Sequence, residues 1–311
     1  MQHDVSVRDV GIGDTSTGPF AVRNLPSCGE MSAIVACRVG SCRQPLRLLD
    51  RTAGVRGLST QVELPAWAFV VDHPTLGPVV FDTGWSPAIT QRVPWLPSRV
   101  YRSVVRYRLS DDDTIDAHLR RMGIEARDVR HVIVSHLHAD HVAGLDAFPR
   151  ATVHLSAEAW RHVRSVPRSV AWRHGFFPEL LPGDLAGRLA PIERFDGPDV
   201  GALGRAADPF GDGSILLVDL PGHAPGQIGA LVMDGAARTL LAADAAFTSE
   251  QIEGTRRPSR AVERLVTFDA AAYRSTLDRL RKAHADDPTL RIVPSHCPAA
   301  GLDVGAEGGT K

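Results

Sequence analysis

The stretch Val132-Ile133-Val134-Ser135-His136-Leu137-His138-Ala139-Asp140-His141 places three imidazoles and a carboxylate directly after a short apolar run. The apolar residues read as a buried strand, and the donors follow on the loop at its exit. If the chain stays extended, alternation throws His136, His138 and Asp140 to one side, with His141 leading into a helix near Val142-Ala143-Gly144-Leu145. Imidazole nitrogen and carboxylate oxygen suit zinc and its borderline neighbours. A solvated polar loop is the plain alternative, but so many donors at one strand exit favour a metal site.

Outward from this run, short apolar strands alternate with helices. Trp67 to Val71 and Val79 to Asp82 read as a hairpin through Asp72–Pro78, closed by Thr83-Gly84. Asp113 to Met122 carries acidic residues first, Arg120-Arg121 last and Gly123 as a stop, the order a helix dipole and C-cap favour. Ala151 to Leu155 reads as a strand, and Ser156 caps the helix that follows. Further strands are expected at 214–220, 228–233, 239–242 and 290–294, with a helix from about Asp269 to His284. Residues 87–109 take no clear assignment.

The chain has 311 residues, 43% of them hydrophobic, enough for a large core. Lys+Arg 35 against Asp+Glu 36 leaves a net charge of -1, so nothing in the overall balance steers the molecule toward nucleic acid or membrane. Cys28, Cys37, Cys42 and Cys297 lack paired CxxC spacing and read as reduced thiols. The polar start has no apolar signal run, and no stretch is long and apolar enough to span a bilayer, so a cytoplasmic location is expected. The expected organisation is a flexible tail over 1–26, a single domain over 27–304 with an insertion near 163–209, and a second flexible tail over 305–311.

Three more donors stand at exits of apolar strands: His223 in Pro221-Gly222-His223-Ala224-Pro225-Gly226, Asp244 after Leu240-Leu241-Ala242-Ala243, and His296 after Ile292-Val293-Pro294-Ser295. The order HxHxDH, His, Asp, His resembles the dinuclear site of the metallo-β-lactamase fold superfamily over most of the chain from Ala66 to His296. Phe81-Asp82-Thr83-Gly84 is similar to that superfamily's early DTG turn, whose aspartate supports the ligands from behind. The resemblance implies an α/β fold, specifically an αβ/βα four-layer sandwich. It implies two divalent cations, zinc first with iron, cobalt or manganese as alternatives. His136, His138 and His223 would hold one; Asp140, His141 and His296 the other; Asp244 would bridge.

The His136–His141 run, the Pro221–Gly226 turn and Asp244-Ala245-Ala246-Phe247-Thr248 look most like the N-acyl-homoserine lactonases, the quorum-quenching group. The implied activity is attack of a shared hydroxide on a lactone or ester carbonyl of a small acyl substrate, with Asp140 as proton shuttle and Asp244 as bridging carboxylate. Many of these lactonases carry tyrosine where this chain has Phe247, and a second histidine where it has Gln227. Phe247, Phe176, Phe177 and Trp172 are the candidate pocket residues. Glyoxalase II-like thioester hydrolysis is the alternative, with Arg279, Arg281 and Lys282 as its basic hint; a non-catalytic metal-containing sensor is the alternative of another class. No nucleic-acid or membrane partner is expected, and homodimerisation is left open.

Overall fold

The computed structural model describes residues 8–9, 34–53, 56–234, 237–256 and 260–298. Cys28 and nearly all of both expected tails lie outside them; Arg8–Asp9, β1, pairs in parallel with Val35 and Ala36.

The remaining strands are β2 (Ile34–Pro45), β3 (Gln61–His73), β4 (Gly77–Phe81), β5 (Tyr107–Arg108), β6 (His131–Ile133), β7 (Thr152–Ser156), β8 (Leu189–Ile192), β9 (Ala206–Ala207), β10 (Ile215–Asp219), β11 (Ile228–Asp234), β12 (Ala237–Ala243) and β13 (Arg291–Pro294). They form two sheets, ordered β1-β2-β3-β4-β6-β7-β8, with β5 on β2, and β13-β12-β11-β10-β9.

Strand parity decides the layering. Phe69, Val71, Phe81 and Ile133 of the first sheet meet Ile215, Leu217, Ala230 and Leu241 of the second in one apolar cluster. Their opposite-parity neighbours, including Ala68, Val70, Val80 and Val132, pack against Ile115, Leu119 and Val142 from helical segments. On the far side, Leu216, Val218 and Leu240 pack against Leu277, Leu280 and Ala283 of the Ala270–Asp286 helix. Period 2 in the strands and near-3.6 spacing in the helix therefore give helix, sheet, sheet, helix: the four-layer sandwich expected. Asp269 caps the long helix, its side chain accepting from the Ala271 and Ala272 amides at 2.8 and 3.0 Å. Cutting back the fully buried Leu280 to Ala would cost about 2–5 kcal/mol.

Several local expectations shift. The hairpin turn is shorter, because β3 runs on to His73 and β4 starts at Gly77. The unassigned 87–109 region holds helices Ala88–Gln91 and Trp95–Val105. Residues 163–209 contain β8, which extends the first sheet, and the short β9, which extends the second. The helical turn after the histidine run begins at Ala139, three residues before the expected start.

β4, β6, β7 and β8 run parallel, as do β12 and β13. Their carboxyl ends gather at one rim. The sheets are tied there by Ile228 N donating to Ser135 O at 2.9 Å and Trp67 N donating to Ser295 O at 3.0 Å.

Candidate metal centre

The early helical turn splits the histidine run. His136 and His138 remain on extended chain, with His138 as the N-cap residue, while Asp140 and His141 lie within the turn Ala139–Val142. Simple alternation therefore fails at Asp140: a helical residue rotates about 100° from its neighbour, so Asp140 leaves the His136/His138 side.

Two donor groups result. In the first, His138 Nδ1 lies 3.1 Å from His136 Nε2 and 3.0 Å from His223 Nε2. The second contains Asp140, His141, Asp244 and His296, and in each group the donor atoms lie within 4.8 Å of one another. Asp244 stands between them: Oδ2 is 3.3 Å from both His223 Nε2 and His296 Nε2, and Oδ1 is 3.5 Å from His141 Nε2. The seven residues thus converge, with the Asp244 carboxylate lying between the two groups.

Packing fixes their orientation. His141 Nδ1 meets Asp82 Oδ2 at 2.7 Å, and Ser135 donates to Asp82 from its amide and hydroxyl at 2.8 and 2.7 Å. His296 Nδ1 donates to Pro65 O at 2.8 Å. Each contact leaves Nε2 facing the centre, the tautomer a metal ligand needs. Asp82 and Ala243 adopt positive φ, 60° and 48°, so backbone strain sits beside the donors. His223 follows Gly222 at φ 128°, where a Cβ would stand 2.1 Å from Tyr273 N; only glycine lets this turn press against the helix start.

The charge balance differs between the groups. Burial and neighbouring imidazoles hold His136 well below the ordinary histidine range, and burial, then His223, brings His138 down to about 3. His223 is also lowered, mainly by burial. These three present neutral rings. Burial opposes charge on His141 and His296, but the carboxylates outweigh it: Asp82, Asp140 and Asp244 raise His141, while Asp244 and Asp140 raise His296. Burial alone would raise Asp140, yet His141 and His296 bring it down to about 2, so it is ionised.

These residues fit a pair of cations. Tetrahedral ligands around zinc stand about 3.3 Å apart at ordinary Zn–N lengths, close to the spacings of the first group. His141 Nε2 and Asp244 Oδ1 are buried with no hydrogen-bond partner among the described residues. A buried imidazole nitrogen and a carboxylate oxygen left so at the centre of the site are atoms that a cation would satisfy in place of a proton.

The metallo-beta-lactamase superfamily model matches residues 62–296 of the chain. The chain belongs to that superfamily. It is 30% identical to the N-acyl homoserine lactonase AttM of Agrobacterium fabrum, over 79% of this chain and 86% of that one. It is 29% identical to a probable metallo-hydrolase of Mycobacterium tuberculosis over 65% of this chain, and spans 66% of that relative's length. Among solved structures it resembles a quorum-quenching N-acyl homoserine lactone lactonase, with TM-score 0.64 and 19% identity, covering 87% of this chain and 93% of that one. The dizinc lactonase AidC, in complex with a product, gives TM-score 0.60 and 16% identity, with 91% and 94% covered. Both structural likenesses speak to the superfamily fold.

In this superfamily member a cavity of about 400 Å³ opens onto the donors His138, Asp140, His223 and Asp244. Its wall is mostly apolar, from Tyr101 and Val104 of the Trp95–Val105 helix, Val163, Phe176 and Phe268. Trp172 and Phe176 are among its lining residues. Phe177 does not: it is core, set edge-on against Tyr101 at 5.2 Å. Phe247 also lies outside the lining; its ring abuts His223 at 5.5 Å and Tyr273 at 6.1 Å, so it backs the centre. Sequence reading missed Tyr101, Val104 and Phe268 because their segments carried no assignable period. The Pro65 carbonyl, a backbone atom, leaves no mark in a sequence.

Proposed function

We propose that the protein opens a lactone ring, of the N-acyl-homoserine lactone type, by metal-dependent hydrolysis. The observation that carries this reading is the meeting of an ionised Asp140 with an apolar cavity at the open side of both donor groups. The cavity suits an acyl chain, and the carboxylate supplies proton transfer where the chain ends.

His136, His138 and His223 would hold one cation and Asp140, His141 and His296 the other, with Asp244 shared. Zinc suits the donors, with iron, cobalt and manganese as competitors. When bound, two such ions would supply a lowered pKa for a water and polarisation of the acyl carbonyl. The chain does the rest. Asp140 accepts the proton that water gives up as its oxygen bonds the acyl carbon, then delivers it to the ring oxygen as the C–O bond breaks. Tyr101 lines the cavity within electrostatic reach of Asp140. Its Oη accepts from Trp85 Nε1 at 3.3 Å, leaving the phenolic proton to donate to substrate, a task Phe247 cannot perform.

The thioester alternative loses support because its basic residues are engaged. Arg279 donates to Asp219 O, Arg281 to Gln251 O, and Lys282 pairs with Asp286. The reading includes a cytoplasmic, quorum-quenching role; no helix among the described residues is long and apolar enough to cross a membrane.

A panel of acyl lactones, thioesters and phosphodiesters, assayed on metal-loaded protein by proton release, tests it. Lactone ring opening with the highest kcat/KM is expected, and preferential thioester cleavage would overturn the substrate.

A further inference from the structure

Among the described residues the large apolar side chains that stand exposed are Trp95 (69%), Leu96 (57%), Val104 (66%) and Phe268 (56%). Three of them lie on the Trp95–Val105 helix, and Phe268 joins Val104 at the cavity. Val104 and Phe268 line the cavity mouth, and Leu96, Val100 and Val104 form one stripe of the Trp95–Val105 helix at four-residue spacing.

The same mouth is basic. Residues 83–110 contain Arg92, Arg99, Arg102, Arg106 and Arg108 and no Asp or Glu; residues 159–178 contain Arg161, Arg164, Arg168 and Arg173 and none either. Both segments wall the cavity, through Val100 to Val105 and through Val163 to Phe176. Arg92 pairs with Asp146 and Arg161 with Glu193, but Arg99, Arg102, Arg164, Arg168 and Arg173 are exposed with no carboxylate partner among the described residues. Guanidinium groups instead lie over rings: Arg99 over Trp95 at 5.5 Å, Arg102 over Tyr107 at 6.0 Å, Arg164 over Trp160 at 5.9 Å and Arg173 over Trp172 at 5.6 Å. The net charge of -1 conceals this local excess.

We infer that this collar docks on an anionic lipid surface, placing the cavity mouth at the headgroup region. Tryptophan and arginine at the level of the headgroups, with aliphatic side chains beyond them, form the mixture that binds bilayer interfaces. Pairing two copies through the same face would set arginines against arginines. A nucleic acid would match the arginines and rings but has no use for exposed Leu96 and Val104. An acyl-chain substrate dissolved in the membrane would then enter the cavity along an apolar rim. The docking surface is independent of which bond the centre hydrolyses.

The test is flotation of the full chain with vesicles of phosphatidylcholine alone or mixed with phosphatidylglycerol. Binding to the mixed vesicles only, weakened by salt, is expected. Arg99→Gln/Arg102→Gln should lower the partition constant about thirtyfold, each arginine near such a surface contributing about 1 kcal/mol. Trp95→Ser/Leu96→Ser should also weaken it, with an unchanged circular dichroism spectrum confirming the fold. No flotation with anionic vesicles, or wild-type partitioning by both variants, would overturn the inference. So would displacement by single-stranded DNA at equal phosphate, or a dimer that Trp95→Ser/Leu96→Ser dissociates.

Discussion

The Asp82 carboxylate and the His141 ring meet at 2.7 Å, Oδ2 to Nδ1, both fully buried behind the donor groups. This contact holds His141 Nε2 toward the centre, and Ser135 holds Asp82 in turn. Asp82→Asn keeps a residue that tolerates positive φ but removes the charge. Metal affinity should fall about 10–100-fold, measured by chelator competition, with folding retained. Undiminished affinity would show that Asp82 serves only the turn.

His136→Ala and His223→Ala each remove a donor from the first group. Both should lower the metal content of purified protein, read by elemental analysis, with one ion lost before the other. Asp140→Asn should instead depress kcat far more than metal content, by about 10²–10⁴-fold for a lost proton-transfer group. Full activity in Asp140→Asn would sink the shuttle role.

For the metal-free protein the imidazoles predict a stability maximum near pH 6.5, the ordinary histidine value. Below it, the unfolded chain binds protons that His136, His138 (about 3 when folded), His223 and His154 (about 4) refuse, so stability falls with pH. Above it, the raised His141 and His296 hold protons the unfolded chain has lost, so their contribution fades as pH climbs through their folded values. Cations replace those protons, and loading should abolish the alkaline decline. Thermal melts of chelated and loaded protein across pH check both limbs; identical profiles would contradict the linkage.

Tyr101→Phe keeps the ring against Phe177 and removes the phenolic donor. The expected result is a lower kcat with KM little changed, by about tenfold if one hydrogen bond of about 1.4 kcal/mol is made only in the transition state. Equal kcat in wild type and Tyr101→Phe would remove Tyr101 from the reaction.

The fold was legible where one local period held. Val79 to Phe81, Ile215 to Asp219 and the long Ala270–Asp286 helix carry patterns that buried faces impose on sequence. It was illegible across 87–109, where the Trp95–Val105 helix exposes apolar residues instead of burying them and so breaks the usual pattern. Phe177 was misplaced for the opposite reason: two adjacent aromatics look alike in sequence, and only packing decides that Phe176 faces the cavity while Phe177 faces Tyr101.

By itself the sequence picked out seven candidate donors and placed them at strand exits, because ligand chemistry and strand period are local properties. Tertiary structure alone decided the grouping. His138 meets His223 from 85 residues away, and Asp244 stands between two groups that divide the single run 136–141 between them. Those distances follow from how two sheets stack and where their strand ends meet, an arrangement that no single stretch of chain encodes.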